Sequence, residues 1–454
     1  LNSEEFELDD ISSKPVDIFN SANTENFDDG ETKYYQTLFT KLKRNPTYTE
    51  YFDLLQSNSE HARHWFFNGN YFRRDNERYK RVKDKDGNDT LMKMIKSTLY
   101  NIDRYIVRGN SLIAFKDNSS VIKGEEVVYF TALSKDNYYF ISRVVNPVLT
   151  AETHNFPTLI APFHGAHTGV GGRIRDNQAT GIGAVVLSSL AGYCVGDIYK
   201  ELKGELSDTE KKSLYGEYNT PLSILIEASN GASDYGNKFG QPLINGSVLT
   251  FEHSEKKYNL GYDKVIMLAG GIGYGKENES KKKKISDGDY VVVLGGDNYR
   301  IGMGGGAVSS VNTGEFKNNI ELNAVQRSNP EMQKRAMNAI RGMIESGKNP
   351  IISIHDHGAG GHLNCLSELV EVENKGGRIE LDALPVGDPT LSAKEIIGNE
   401  SQNELVERLQ FLNLCQCCDR HKTNKPRFFD VWIETPESSR TQTERMNQTC
   451  DCPC

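Results

Sequence analysis

Residues 350–372, PIISIHDHGAGGHLNCLSELVEV, pack three local signals into one short stretch. An apolar run at 350–355 has the length of a buried strand, Gly358 to Gly361 form a tight turn, and 363–372 repeat apolar residues at helical spacing. Strand, turn and helix in succession place the chain in the α+β or mixed α/β class. Upstream, 290–294 and 265–273 (VIMLAGGIG) read as buried strands, the latter ending in a turn, and the charged loop 274–288 between them is a candidate domain boundary.

The same reading extends to the N-terminal side. Residues 127–133 and 138–145 have the β-rich composition of strands, and 91–100 read as a helix. Tyr34, Tyr35, Leu38, Phe39 and Leu42 share one helical face that Asn45-Pro46 terminates. Thr47 and Glu50 are spaced as a capping box for a second helix carrying Tyr51, Phe52, Leu54 and Leu55. Residues 150–200 are glycine-rich, with a helix expected late in that span. Residues 1–30, acidic and rich in Ser and Asn, read as a flexible lead-in.

Composition narrows the function. At 454 residues, with 37% hydrophobic and 25% charged, the chain can form two or three units with real cores. A net charge of -9 argues against nucleic acid as the partner, because neutralising phosphates needs a basic face. No run of 18 apolar residues exists and the N-terminus is acidic, so neither a membrane span nor a signal peptide is expected, and the expected location is the cytosol. Cys194 and Cys365 stand alone, as in a reducing compartment, whereas six cysteines crowd the last 40 residues or so. The basic run 281–284 reads as a solvated loop.

Four strings carry chemistry. Asn58-Ser59-Glu60-His61-Ala62-Arg63-His64 sets two imidazoles, a guanidinium and a carboxylate at a helix exit; it suits anionic phosphates and proton transfer, and reads equally as a polar helix end. Glu152-Thr153-His154-Asn155-Phe156-Pro157 offers metal and substrate ligands, or is a strand terminus before proline. In 165–176 (GAHTGVGGRIRD), a glycine-rich turn would close its N–H groups on phosphate oxygens, with Arg175 forking onto one and Asp176 holding Mg²⁺; this is not a Walker A loop, for no Gly-Lys-Ser/Thr follows. Finally, 302–306 (GMGGG), Gln326, 354–361 and 399–402 form a group in which Asp356, at a strand end, would serve as a second Mg²⁺ ligand. His355 and His357 read as loop residues outside the site.

In this order the strings resemble the large phosphoribosylformylglycinamidine synthases: NSEHARHWFFN (58–68), FKDN (115–118), AETHNFPT (151–158), GAHTGVGGRIRD (165–176), VIMLAGGIG (265–273), IGMGGGAVSS (301–310), AVQRSNPEM (324–332), IHDHGAGG (354–361) and IGNESQ (397–402). The resemblance covers about residues 31–402 and implies a fold of the aminoimidazole-ribonucleotide-synthetase superfamily: a helical linker (31–90), a ferredoxin-like sheet domain (91–275) and a second α/β domain (285–402). It implies an ATP- and Mg²⁺-dependent ligase that activates the amide oxygen of formylglycinamide ribonucleotide and lets ammonia displace phosphate. The ammonia would come from a glutaminase domain absent from this chain, and a second synthetase half, in cis or trans, would complete the site.

Carried over by resemblance, His61 and His154 are catalytic. His64, Gly165, Thr168, Gly169, Gly171, Gly172, Arg175 and Asp176 belong to nucleotide binding. Thr153, Asn155, Gln326, Glu400, Ser401 and Gln402 contact substrate, and Glu152, Asp176 and Asp356 hold the metal. Three residues depart from the family: Ala62 for a cysteine, Phe156 for the second histidine of ETHNHP, and Thr150 for a lysine expected to contact ATP. Residues 403–454 depart altogether, being polar and without strand alternation, and read as an aberrant or out-of-frame C-terminus or, through Cys415, Cys418, His421 and the Cys450, Cys452, Cys454 cluster, as a zinc site. Another ligase or kinase of the superfamily, or a non-catalytic relative, remains the alternative.

Overall fold

The computed structural model describes residues 13–23, 27–57, 67–75, 78–105, 109–132, 137–215, 218–286, 289–309, 318–371, 377–384, 386–400, 405–409 and 428–429. His61, His64, Ser401, Gln402 and the cysteines of the tail lie outside them.

Helices α1 (Asp29–Leu42) and α2 (Tyr48–Ser57) form the expected pair. The box ahead of α2 closes as its spacing foretold: Thr47 N donates to Glu50 Oε2 at 2.8 Å and Glu50 N to Thr47 Oγ1 at 3.2 Å. Helix α3 (Leu91–Tyr105) precedes a sheet of seven strands: β1 (Ser111–Ile113), β2 (Ser120–Ile122), β3 (Glu125–Ala132), β4 (Tyr138–Thr153), β5 (Val185–Val195), β6 (Leu243–Thr250) and β7 (Ile266–Lys276). Their order is β1-β2-β4-β7-β5-β6, with β3 paired to β4. All pairs are antiparallel except β5 and β6. Between those two the chain crosses through helix α6 (Pro221–Phe239), as a parallel pair requires. Strand β7 runs on past the turn expected after Gly273. Gly273 instead makes room for a neighbour, since a Cβ there would lie 2.1 Å from Asn177 Oδ1.

A second sheet takes β8 (Tyr290–Leu294), β9 (Ile351–Asp356), β10 (Leu405–Leu409) and β11 (Phe428–Phe429) in the antiparallel order β9-β10-β8-β11. Helices α7 (Pro330–Glu345), α8 (Gly361–Glu371) and α9 (Ala393–Ile397) accompany it. The class is mixed α/β, as expected. Strand β10 corrects the reading of 403–454 as free of strands: Leu405, Val406 and Leu409 are apolar around Glu407 and Arg408, and pairing on both sides supplies what so short a run lacks alone. Lys282, in the run read as a solvated loop, is instead half-buried and paired with Asp117 at 3.0 Å.

The largest correction falls on 165–176. After the short helix α4 (Asn155–Ile160), residues Pro162–Gln178 form one helix, α5, buried along nearly its whole length. Ala166, Val170 and Ile174 recur every four residues and join Tyr235, Phe239 and Met267 in the main core. Glycine costs a helix about 1 kcal/mol against alanine, and here it permits close approach. A Cβ on Gly165 would meet the Pro157 carbonyl carbon at 2.3 Å, one on Gly171 the Tyr235 ring at 2.8 Å, and one on Gly231 of α6 the Phe163 oxygen at 2.1 Å. Interior N–H groups of α5 are spent on its own carbonyls, so the expected phosphate-cradling turn does not exist.

One face of the large sheet carries α5 and α6. On the other, Leu149, Leu190, Leu268 and Ile272 are each more than a third exposed, and Leu149 pairs directly with Ile272. Among the described residues no helix is long and apolar enough to cross a membrane.

Gly165→Ala is expected to lower stability by the upper end of about 1–3 kcal/mol, because rigid backbone must move. Gly342→Ala, with nothing within 4 Å of the new methyl, should raise it by up to about 1 kcal/mol. Urea midpoints at constant m-value measure both, and equal shifts would refute the packing role of Gly165.

Candidate active site

A cleft of about 830 Å³ lies between the two sheets' units, lined from parts of the chain far apart in sequence. Strand β4 ends there with Glu152 and Thr153, and His154, Asn155 and Phe156 turn into α4. Helix α5 presents Thr168, Gly169, Gly172, Arg175 and Asp176, the i, i+1, i+4, i+7, i+8 face opposite its apolar stripe. Gln326, Asp356 and Glu400 come from the second unit. Gly165 and Gly171, expected at the nucleotide, do not line the cleft: they face Pro157 and Tyr235.

The centre is a meeting of carboxylates. Asp176 is buried, and burial first, then the charges of Glu152 and Asp356, push its carboxyl well above the usual range. Asn118, from the FKDN string, bridges the units by donating its amide to Asp176 Oδ1 at 3.3 Å and to Asp356 Oδ1. Its neighbour Asp117 accepts from Gly181 N at 3.0 Å and pairs with Lys282. Arg173 is wholly buried behind this cluster; burial lowers its guanidinium to about 10, while Asp176 and Glu152 hold it up. Among the described residues no three His, Cys, Asp or Glu side chains are set to hold a metal ion together.

His154 is fixed by its surroundings. Its Nδ1 lies 2.5 Å from the Gly165 carbonyl, which can only accept, so Nδ1 carries a proton, and in the neutral ring Nε2 is then the acceptor. Asn155 spends its side-chain oxygen on Met267 N at 3.1 Å, pinning the start of β7. Arg175 reaches Gln333 Oε1 at 3.3 Å, and Thr168 donates to the Gln326 carbonyl at 3.2 Å. These bonds tie α5 to the second unit.

His355, read as a loop residue outside the site, lines the cleft and pairs through Nε2 with Glu368 Oε2 at 2.8 Å. Glu368 comes from α8, two turns beyond the Gly358–Gly361 bend, and no single-string reading joins the two. His357, by contrast, is fully buried against His362, with ring centroids 4.5 Å apart. Tyr71, Lys264, Asn364 and Glu368 line the cleft from outside the motif strings, and Asn118, within FKDN, was given no role there.

Glu400 closes the site from beneath. Its Oε1 accepts from Gly306 N at 3.2 Å and Gly360 N at 3.1 Å, and its Oε2 from Gln326 Nε2 at 3.0 Å. The glycine-rich strings 302–306 and 358–361 thus converge on a carboxylate of this chain. Burial nevertheless lifts Glu400 to about 7, the three hydrogen bonds offsetting only part of the desolvation.

A raised folded-state value makes the protonated form the one that folding favours. Its stabilisation is complete below the ordinary value of 4.5 and is lost as pH rises through about 7. The loss is up to about 3 kcal/mol. In Glu400→Gln the amide oxygen keeps both glycine N–H groups and a turned Gln326 accepts from the new amide. Unfolding free energies of the two proteins should therefore diverge by about 2–3 kcal/mol between pH 4.5 and 8 in favour of the variant; parallel curves would show that Glu400 titrates normally.

Family models match two segments: "AIR synthase related protein, C-terminal domain" over residues 286–409 and "Formylglycinamide ribonucleotide amidotransferase linker domain" over 19–64. A phosphoribosylformylglycinamidine synthase of Dictyostelium discoideum is 45% identical over 395 residues, and the human enzyme of that name 40% over 386; each alignment spans 83% of this chain and 27% of the relative. T. maritima PurL, solved with FGAR, shares the fold with a TM-score of 0.52 at 23% identity, covering 83% of this chain and 48% of that one. With its strings in the family's order, and spanning about a quarter of its curated relatives' length, the chain belongs to the phosphoribosylformylglycinamidine synthases.

Proposed function

We propose that this chain is the portion of a phosphoribosylformylglycinamidine synthase that builds one synthetase site, converting formylglycinamide ribonucleotide to the amidine with ATP and glutamine-derived ammonia. The observation that carries this reading is the convergence of Glu152, His154, Asp176, Asp356 and Glu400, from strings far apart in sequence, on one cleft. The relatives' shared name supports the reaction, and two fold neighbours are described as PurL complexed with FGAR and with ADP.

The reaction exchanges the amide oxygen of the substrate for nitrogen. ATP phosphorylates that oxygen, ammonia adds to the carbon, and phosphate leaves with the oxygen as the C=N bond forms. In this scheme His154 Nε2 would accept a proton from the incoming nitrogen, while Arg175, bonded to Gln333, holds α5 to the second unit beside the ligand. Thr153, Asn155 and Gln326 are the polar walls against which substrate would be oriented. His61 and His64, with Ser401 and Gln402, keep the roles the resemblance gives them.

The residues fit Mg²⁺. Carboxylate oxygens are its preferred donors, and it binds through one or two of them with water and phosphate oxygens completing the shell, so no three-carboxylate cage is required. Mg²⁺ bound there would offset the nucleotide's charge. One or two of Glu152, Asp176 and Asp356 would hold it, where burial and neighbouring charges raise the proton affinity of Asp176 and the Asn118 amide bridges Asp176 and Asp356.

Calorimetric titration of the purified chain with ATP, ADP and formylglycinamide ribonucleotide, each with Mg²⁺, is expected to give saturable heat, and Asp176→Asn to weaken the Mg²⁺-dependent part about ten-fold or more. A folded chain giving no heat at millimolar ligand would overturn the proposal.

The uncovered apolar face of the large sheet supports a second synthetase half as its occupant in the longer protein. Alone, the chain should self-associate in sedimentation at micromolar concentration, and Leu268→Lys combined with Ile272→Lys should return it to the monomer. A monomer at all concentrations would remove that support.

A further inference from the structure

Among the described residues, five carboxyl side chains line the cleft, Glu152, Asp176, Asp356, Glu368 and Glu400, against two Lys or Arg side chains, Arg175 and Lys264. An anionic ligand entering such a wall needs a cation that can reach it. Arg175 is 1% exposed and already bonded to Gln333. Lys264 is half-buried, and no hydrogen bond or ion pair commits its three N–H donors to another described residue; its ammonium instead lies 5.7 Å from the centre of the Phe156 ring. Its backbone is anchored, since it stands two residues before β7, whose start Asn155 pins.

The ring is anchored too. Phe156 is 3% exposed and wedged among Ile160, Val308 and Ala324, so its face is a fixed platform in the cleft. A phenyl ring cannot hydrogen-bond a phosphate, but its negative face attracts an ammonium and leaves the N–H groups directed away from the ring. Thr150, meanwhile, contributes no charge where the sequence resemblance led us to expect a lysine.

We infer that Lys264, steadied on Phe156, is the cation that receives a ligand's phosphate ester in this cleft. The inference rests on the cleft being the ribonucleotide and nucleotide site proposed above. The phosphate belongs either to the substrate's ribose or to the nucleotide chain, and the same chemistry serves both.

Calorimetry on the purified chain with Mg²⁺ separates them, using formylglycinamide ribonucleotide against its dephosphorylated riboside and ADP against adenosine. Lys264→Gln is expected to weaken one phosphate-bearing ligand about ten-fold or more while leaving its phosphate-free counterpart within about two-fold. The arm that changes names the source. Lys264→Arg should restore binding to within about three-fold, and Phe156→Leu, which keeps an apolar side chain but removes the ring face, should cost about two- to five-fold on the same ligand. Circular dichroism confirms that each variant is folded. If Lys264→Gln binds both phosphate-bearing ligands as wild type does, the inference is wrong while the site reading stands. Failure of the wild-type chain to bind either one would remove the site reading and this inference together.

Discussion

Asp176 and Asp356 belong to different structural units, and they share one donor, the amide of Asn118. Everything else at the cleft follows from bringing like charges together where little water reaches. With Glu152 added, the cluster is tolerable only if a carboxyl holds a proton, if neutral donors point inward, or if a cation enters. The Asn118 amide is such a donor, and burial with the neighbouring charges raises the proton affinity of Asp176. A cation entering the cluster would relieve the same repulsion.

Bringing those charges together depends on how close α5 comes to its neighbours. Its glycines let α4, α6 and the β7 strand approach to distances that a single methyl would forbid. The helix is apolar along 166, 170 and 174 and polar along 168, 172, 175 and 176, so one element serves both the core and the cleft. Thr168 and Arg175 then carry hydrogen bonds to the second unit. The cost in helix propensity is repaid by packing density, and the cleft's geometry is set by backbone contacts that do not fluctuate as side chains do.

Glu400 shows the same economy in another form. Two glycine-rich strings converge on the carboxyl group of Glu400 through the N–H groups of Gly306 and Gly360. Their role in this structure is to fix the floor of the cleft. The side chains along its walls face the cavity, among them His154, whose Nδ1 proton is fixed by the Gly165 carbonyl.

Much of this was legible in the chain itself. The pairing of α1 with α2, the Thr47–Glu50 box, strands β8 and β9 and the bend before α8 follow from local periodicity and capping, which depend on residues a few positions apart. The ordered strings also identified most of the lining residues, because functional groups had to be present whatever the fold. What neighbours decide could not be read. The glycines of 165–172 look alike as a loop or as a close-packed helix until Pro157 and Tyr235 are placed beside them. Leu405–Leu409 becomes a strand because β8 and β9 flank it. Pairing of His355 with Glu368, of Lys282 with Asp117 and of Lys264 with Phe156 joins residues whose separation in sequence carries no periodic signal. Local propensity acts over one turn or one strand, whereas burial and charge pairing act across whatever the fold brings within a few ångströms, and that distance exists only once the chain has packed.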